Sequence, residues 1–212
     1  MDDLNRAQRY VLIGDGGLAK EVADLIAAIG GVVVGRVVED AYLQPSSLPG
    51  VGSIADLPDI DCDGVVLAFG DAAARCRIYV ELSGRYEMPS LVHPTACVSG
   101  SATIGAGVLI MQNAVVSADA VVGDAALLNV GCYVAHDCHV GRGTHIGPGV
   151  QLGGRSSVGD MVLCGTSCTV LPDVSVGDRA TCGAGAVVTR DVPPDITVVG
   201  VPAASIRRGS QA

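Results

Sequence analysis

Residues 91–192 can be divided into seventeen consecutive blocks of six residues without an insertion or a deletion. The second position of every block is aliphatic or Cys, and the sixth is always Ala, Val, Cys, Thr or Ser. A fixed short period is typical of a solenoid, in which each repeat buries its apolar face only by stacking on its neighbours. One aliphatic and one small inward position per block predict short parallel strands that wind around a narrow triangular prism.

The same register explains two features of the composition. Aromatic residues make up only 3% of the chain, with no Trp and a single Phe, as expected for a prism too narrow for large rings. Five of the eight cysteines fall on inward positions, where a free thiol acts as a small hydrophobic group. These five are Cys132, Cys138, Cys164, Cys168 and Cys182. We therefore expect reduced core thiols, with neither a disulfide framework nor a metal site.

Hydropathy and charge exclude several classes of function. The sequence contains no run of eighteen apolar residues and does not start with a basic stretch followed by an apolar one. It thus predicts neither a membrane span nor a signal peptide, and it favours a cytoplasmic location. The first 90 residues carry 14 acidic and 7 basic side chains, and the remainder carries 8 and 6. Such an acidic surface argues against nucleic acid or an anionic membrane as a partner.

The first 90 residues show no six-residue period, and we predict an α/β Rossmann-like domain over residues 1–90, followed by the β-helix over residues 91–212. The predicted elements of the first domain are a strand over 9–13, a helix over 18–29 and strands over 32–38 and 64–69. A glycine turn separates the first strand from the helix. Ninety residues are too few for a complete dinucleotide-binding fold, which disfavours NAD as the ligand.

The glycine turn is a candidate phosphate site. Gly14, Gly16 and Ala19 match the pattern G-x-G-x-x-A, and an acidic pair follows about 25 residues later, where ribose hydroxyls would be bound. The N–H groups of a helix N-terminus attract phosphate, and the only lysine of the chain lies in that first turn. A purely structural turn and a solvated lysine are the alternatives. The substrate-binding candidates of this domain are Gly14, Gly16, Gly17, Lys20, Glu39, Asp40, Gly70 and Asp71.

A glycine-turn domain followed by a hexapeptide solenoid resembles the bacterial nucleotide-sugar acetyltransferases. The resemblance rests on the segments VLIGDGGLAKEV, VVLAFGDAAAR, SLVHPTA, LLNVGCYVAHDCHVG, HIGPGVQLGG and VVGVPA, and it extends over residues 9–206. The family includes bacillosamine-pathway and perosamine N-acetyltransferases and sialic-acid O-acetyltransferases. The resemblance implies a left-handed β-helix, a homotrimer, acetyl-CoA as the donor and a nucleotide-linked amino sugar as the acceptor.

Three of the four histidines, His136, His139 and His145, lie on one short stretch, which first suggests metal ligands. Their spacing differs from that of the γ-type carbonic anhydrases, so a metal-dependent lyase is a minor alternative, and we expect His139 to be solvated. His136 is the better candidate for a general base, because it faces outward and precedes Asp137, which can fix its tautomer. An ammonium group must lose a proton when it attacks a thioester, and an imidazole suits that task. The family motif also places its base at this histidine.

If three blocks form one coil, eighteen residues return the chain to the same face, and Gly154 stacks on His136. Its exposed backbone could then approach the pantetheine arm or bind the oxyanion. His145 lies half a coil from His136, so the two could meet only across a subunit interface. The resemblance further implies that His145 lies near the thioester and Asn129 near the acceptor amine. The acetyl-CoA-binding candidates are His145, Gly153, Gly154, Thr166 and Ala184.

Two positions depart from the family pattern. Leu18 replaces the histidine that family members carry in the glycine turn, and the tail lacks the usual lysine after GVPA. Arg207 and Arg208 could instead contact the coenzyme phosphates, or form a basic end. The sequence as a whole predicts an acetyl-CoA-dependent N-acetyltransferase that acts on a nucleotide-linked amino sugar. A sugar O-acetyltransferase and a non-catalytic nucleotide-sugar-binding scaffold are the alternatives.

Overall fold

The structure is a computed structural model, and it describes residues 6–39 and 51–206. Two units follow one another along the chain, a four-stranded α/β sheet and a triangular β-helix. Three residues named above, Asp40, Arg207 and Arg208, lie outside the described residues.

The first unit is a parallel sheet with the strand order β3-β2-β1-β4. Its elements are β1 (Arg9–Ile13), α1 (Gly17–Ala28), β2 (Val32–Val38), β3 (Val51–Ser53), a 3₁₀ helix (Ile54–Asp59), β4 (Gly64–Leu67) and α2 (Ala72–Leu82). The sequence predicted β1, β2, β4 and α1 to within two residues. It did not predict β3, which is very short, or α2, whose buried face includes an arginine and therefore lacks a clear apolar pattern.

Side chains of β1 alternate between two cores, as the two faces of a strand require. Tyr10 and Leu12 pack with α1, whereas Val11 and Ile13 pack with α2. The core on the α1 side also contains residues of the β-helix, namely Leu91, Leu109, Met111 and Leu127. The two units therefore share a continuous hydrophobic core. The predicted boundary after residue 90 lies between the end of α2 and the first strand of the second unit, which begins at Leu91, and it stays a prediction.

The second unit contains seventeen two-residue strands, from β5 (Leu91–Val92) to β21 (Val187–Val188), and each occupies the first two positions of its block. Each of the strands from β5 to β18 (Thr169–Val170) pairs in parallel with the strand eighteen residues further on, as when Leu127 pairs with His145 in β14 (His145–Ile146). The spacing falls to sixteen residues at the end of the prism, where Thr181 pairs with Thr197. Three blocks thus form one coil of a three-sided prism, as the period predicted. The described chain ends with an antiparallel pair, β22 (Thr197–Val199) and β23 (Ala204–Ser205).

The corners of the prism have a uniform backbone geometry. In fourteen consecutive blocks, from Gly107 to Gly185, the fifth residue has a left-handed conformation, with φ between 54° and 67°. Nine of these fourteen residues are Gly, Asn or Asp, which adopt this conformation most readily. The sixth position that follows is buried in every block from Val108 onward, which explains why it must be small.

Helix α2 packs against one corner of the prism, where the stacked fifth positions are Gly107, Ala125 and Gly143. A Cβ atom at Gly107 would lie 3.1 Å from the ring of Tyr79, and one at Gly143 would lie 3.1 Å from the carbonyl oxygen of Ala72. Small residues repeated every eighteen positions therefore let the helix approach the corner. Among the described residues, no helix is long and apolar enough to span a membrane.

Candidate active site

His136 and Asp137 occupy the turn after β12 (Tyr133–Val134). Asp137 is one of the left-handed corner residues, with φ 58°, and its Oδ2 atom lies 2.7 Å from Nδ1 of His136. A carboxylate only accepts hydrogen bonds, so in the neutral imidazole Nδ1 carries the proton and Nε2 presents its lone pair. Both side chains are about half exposed in the single chain, at 53% and 54%. This pair is arranged to accept a proton at Nε2.

The imidazole of His136 lies over Gly154, one coil further along the chain. A Cβ atom at residue 154 would lie 2.7 Å from Nε2 and 2.8 Å from Cε1 of His136. The predicted stacking is therefore observed, and it explains why a glycine is needed at this position. Within the part of the chain that the structure describes, the N–H group of Gly154 donates no hydrogen bond. It is free to bind a developing oxyanion.

The direction of that N–H group is fixed from the interior of the prism. The carbonyl oxygen of Gly153 accepts hydrogen bonds from the N–H of Ser156 and from the buried thiol of Cys138, both at 3.1 Å. Because the C=O and N–H groups of a trans peptide point in opposite directions, the Gly154 N–H points away from the Cys138 thiol. This interior contact was not predicted from the sequence.

His145 lies on a different face of the prism and contacts the first domain. Its Nδ1 atom lies 3.2 Å from the carbonyl oxygen of Gly70, and its Nε2 atom lies 3.4 Å from Nδ2 of Asn129. The Oδ1 atom of Asn129 accepts a hydrogen bond from the N–H of Val130, which orients the amide so that Nδ2 faces the histidine. His145 is therefore the neutral tautomer that carries its proton on Nδ1.

Burial and the nearby positive charge of Arg75 lower the pKa of His145 to about 4. The histidine is uncharged at neutral pH. The hydrogen bonds of its side chain, among the described residues, go to Gly70 and Asn129, two predicted substrate-binding residues, and to none of the other acetyl-CoA candidates. The role near the thioester that the resemblance implied for His145 stays a prediction.

A cleft of about 610 Å³ opens at the carboxyl ends of β1, β2 and β4, beside α2. Three of the predicted substrate-binding residues line it, Gly14, Glu39 and Asp71. Asp15 and Arg77 also line the cleft and were not predicted. Ligands of parallel α/β sheets bind at this edge, so the cleft is a candidate nucleotide site.

Two ion pairs lie at the cleft. The Nη2 atom of Arg77 donates to both carboxylate oxygens of Glu39, at 2.9 Å each. Arg36 lies 3.8 Å from Asp15, and their buried Nη1 and Oδ1 atoms have no hydrogen-bond partner in the described part of the chain. Buried polar atoms without a hydrogen-bond partner are costly, so this pair is less well satisfied than that of Arg77 and Glu39.

The three glycines of the first turn differ in whether the fold requires a glycine at that position. Gly14 has φ 123°, and a Cβ atom there would lie 2.7 Å from the carbonyl oxygen of Ala68, so the fold itself needs this glycine. Gly16 and Gly17 have no atom within 4 Å of a Cβ position and leave the N-terminus of α1 open. Lys20 is exposed in that first turn. These last three residues do not line the cleft described above.

The remaining residues singled out in the sequence do not contact His136 or His145. Leu18 is partly buried against the core shared with the β-helix, which accounts for its apolar character. Thr166 and Ala184 are exposed and occupy the same corner of successive coils. Gly153 is needed by the stacking of the coils, since a Cβ atom there would lie 2.5 Å from the backbone nitrogen of Pro172.

The described residues contain one group of three side chains that could hold a metal ion. The sulfur atoms of Cys164, Cys168 and Cys182 lie within 4.8 Å of one another inside the prism. Hydrogen bonds from the other two thiols lower the pKa of Cys168. Structural zinc sites normally have four ligands, whereas in the described part of the chain only these three sulfur atoms converge. We interpret these residues as core thiols, and in the described part of the chain the four histidines form no such group.

Comparison with known proteins assigns both units. Residues 9–82 match the PglD N-terminal domain, and residues 119–154 match the bacterial transferase hexapeptide family. A search of curated proteins found no match. Among solved structures, PerB from Caulobacter crescentus in complex with CoA and GDP-perosamine is 34% identical, with a TM-score of 0.87 over 93% of this chain and 97% of that one. The chain belongs to the nucleotide-sugar acetyltransferase family.

Two further solved structures support this membership. The acetyltransferase domain of PglB from Neisseria gonorrhoeae, in complex with acetyl coenzyme A, is 34% identical, with a TM-score of 0.86 over 95% of this acetyltransferase and all of that chain (100%). WeeI from Acinetobacter baumannii is 25% identical, with a TM-score of 0.83 over 93% of this chain and 99% of that one. The predicted fold class, a Rossmann-like domain followed by a left-handed β-helix, is confirmed.

Proposed function

We propose that this acetyltransferase transfers the acetyl group of acetyl-CoA to the amino group of a nucleotide-linked sugar. The observation that carries the proposal is the arrangement of His136, Asp137 and Gly154, which combines a proton acceptor with an unused N–H donor. PerB is in complex with CoA and GDP-perosamine, and the PglB domain is in complex with acetyl coenzyme A, which supports the same pair of substrates here.

The reaction needs no acyl-enzyme, because a bound amine can attack the bound thioester directly. Nε2 of His136 removes the proton of the attacking nitrogen, and Asp137 stabilises the imidazolium that results. The negative charge that develops on the thioester oxygen is stabilised by the N–H of Gly154. Collapse of the tetrahedral intermediate breaks the C–S bond, and the imidazolium returns the proton to the thiolate of CoA.

We propose that the first domain binds the nucleotide of the acceptor. The carboxylates of the cleft, among them Asp15 and Glu39, are suited to accept hydrogen bonds from ribose hydroxyls or from N–H groups of a base. The same negative charges would repel a diphosphate, which is better placed at the open N-terminus of α1, beside Gly16 and Lys20. We propose the same hydrogen-bonding role for Asp40, which lies outside the described residues.

We also propose a homotrimer in which each site lies between two chains. Apolar side chains are more than a third exposed on the prism, and the packing of prisms against one another would bury them. They include Val121, Val130, Tyr133, Leu163 and Leu171. The half-exposed His136 of one chain would then face the coenzyme groove of its neighbour, with Gly153, Thr166 and Ala184 as further candidates for coenzyme contacts. Mixed trimers of His136→Ala and His145→Ala chains should regain activity if the two histidines act in one shared site.

We place the enzyme in the cytoplasm and its product in surface polysaccharide or glycan synthesis. The free core thiols suit a reducing compartment. Nucleotide-linked amino sugars with UDP, GDP or dTDP would be incubated with acetyl-CoA, and release of the CoA thiol would be measured together with the mass of the sugar product. N-acetylation of one series supports the proposal. Acetylation of a hydroxyl group would favour the O-acetyltransferase, and coenzyme binding without transfer would contradict the proposal.

A further inference from the structure

Arg75 of α2 is the one charged side chain that is fully buried among the described residues, at 1% exposure. Burial lowers its pKa to about 10, so that it remains positively charged at neutral pH. A buried charge is normally paired with an opposite charge. In the described part of the chain, however, Arg75 forms no ion pair, and its guanidinium donates four hydrogen bonds to backbone carbonyl oxygens. The acceptors are Ala125 at 2.8 Å, Phe69 at 3.0 Å, Gly143 at 2.8 Å and Thr144 at 3.2 Å.

These four carbonyls belong to two parts of the molecule. Ala125, Gly143 and Thr144 lie at the corner of the prism that α2 packs against, on two successive coils. Phe69 belongs to residues 68–71, the segment that joins β4 to α2. The guanidinium therefore connects this joining segment to two coils of the β-helix with a fixed geometry, which only the planar fork of an arginine provides.

The joining segment has a second attachment to the β-helix. Gly70 accepts the hydrogen bond from Nδ1 of His145, as described above. Phe69 and Asp71, on either side of Gly70, line the cleft proposed for the nucleotide. The wall of the acceptor cleft is thus attached, through two consecutive carbonyl groups, to the β-helix that carries His136.

We infer that Arg75 is a positioning residue for acceptor binding, which fixes the joining segment relative to the coils. Its positive charge also adds to the effect of burial in lowering the pKa of His145. The inference rests on the proposed function. Protonation of His145 would make Nε2 a donor that faces the Nδ2 donor of Asn129, so the neutral state is needed for the contact with Asn129. The Nδ1 atom donates to Gly70 in either state. Arg75, from α2, is the charged group of the described residues that acts on the pKa of this histidine, while Gly70 and Asn129 supply its polar contacts.

The variants Arg75→Lys and Arg75→Gln separate the two roles. Lysine keeps the charge but cannot contact all four carbonyls, so we expect the KM for the nucleotide-sugar to rise about tenfold, with kcat and the KM for acetyl-CoA within about threefold of wild type. Glutamine removes the charge, so the pKa of His145, followed by NMR, should also move up toward its ordinary value. Arg179→Lys is the matched control, because the guanidinium of Arg179 binds Asp195 on the surface.

Several outcomes would overturn the inference. One is an unchanged KM for the nucleotide-sugar in Arg75→Lys, and another is an equal rise in KM for both substrates. If neither variant folds, NMR of the wild-type enzyme still decides, because the guanidinium N–H signals of Arg75 must shift when GDP or UDP binds in the adjoining cleft. Unchanged signals on nucleotide binding would overturn the inference. If the wild type transfers no acetyl group, the proposed function fails separately. Calorimetry with GDP and UDP would then test whether Arg75→Lys weakens nucleotide binding about tenfold.

Discussion

The ring of His136 occupies the space that a side chain at Gly154 would need, with Nε2 only 2.7 Å from the position of a Cβ atom. The glycine therefore serves the proposed site in two ways, through the room it leaves for the imidazole and through its free N–H group. A substitution there should affect the chemistry before it affects the fold, because the displaced ring is exposed and can rotate away.

Gly154→Ala should lower kcat by about tenfold to a hundredfold, because the ring would move from its position over the coil. The melting temperature should change little. Gly100→Ala is the control, since a Cβ atom at Gly100 has no neighbour within 4 Å. A kcat equal to that of wild type would show that the position of the ring over residue 154 is not needed for turnover.

His136→Ala should retain the fold and lose activity by about 10²–10⁴-fold in kcat, the usual effect of removing a general base. His139→Ala is the matched control, because His139 is exposed in the next block. Steady-state kinetics at neutral pH, on variants whose oligomeric state equals that of wild type, provide the measurement. Near-normal turnover of His136→Ala would show that another group acts as the general base.

The lowered pKa of His145 makes the stability of the protein depend on pH. Its value of about 4 in the folded state lies below the ordinary 6.5, so between these values the unfolded chain binds a proton that the folded chain does not. The contribution of neutral His145 to the free energy of unfolding is fully present above about pH 6.5 and is lost as the pH falls. The free energy of unfolding should decrease by about 2 kcal/mol between about pH 7 and pH 5. Urea unfolding at both pH values should show a smaller loss in His145→Gln than in wild type and in the exposed control His139→Gln.

Gly16→Val should raise the KM for the nucleotide-sugar by at least about tenfold, since a branched side chain would prevent the close approach of a phosphate to the N-terminus of α1. Affinity for acetyl-CoA should be unchanged. The fold tolerates the change because the position is open, as it also is at the control Gly84→Val. Calorimetry with each ligand separately measures both effects, and loss of acetyl-CoA binding alone would reverse the proposed division between the domains.

Cys164, Cys168 and Cys182 should behave as core thiols without a metal ion. We expect prolonged treatment with a strong chelator to leave kcat unchanged, and we expect none of the three thiols to react with a thiol reagent until the protein unfolds. Two results together would contradict this expectation. They are one bound metal ion per chain by elemental analysis of the purified enzyme, and loss of activity on chelation.

The β-helix was predictable because one period sets both the burial and the pairing of every strand. The stacking of Gly154 on His136 followed from the same arithmetic. The contact of His145 with Gly70 could not be predicted in this way. The period relates residues of the β-helix to one another and gives no information on how the first domain packs against it.

The small residues Gly107, Ala125 and Gly143 could have indicated a helix packed on that corner, since they recur every eighteen positions. Arg75 gave the opposite signal. An arginine in a short helix predicts an exposed face, whereas here it is buried by hydrogen bonds to carbonyls that no local pattern reveals. The two ion pairs of the cleft likewise join residues that are far apart in the sequence.

The docking of α2 on the corner formed by residues 107, 125 and 143 has a consequence for domain exchange. A foreign nucleotide-binding domain joined to this β-helix would have to bring a helix that fits between these small residues. It would also need a donor at the position of Arg75, because the carbonyl groups of Ala125 and Gly143 would otherwise be left without their hydrogen bonds. A chimera designed to change acceptor specificity should therefore be built with residues 107, 125 and 143 matched to the incoming helix.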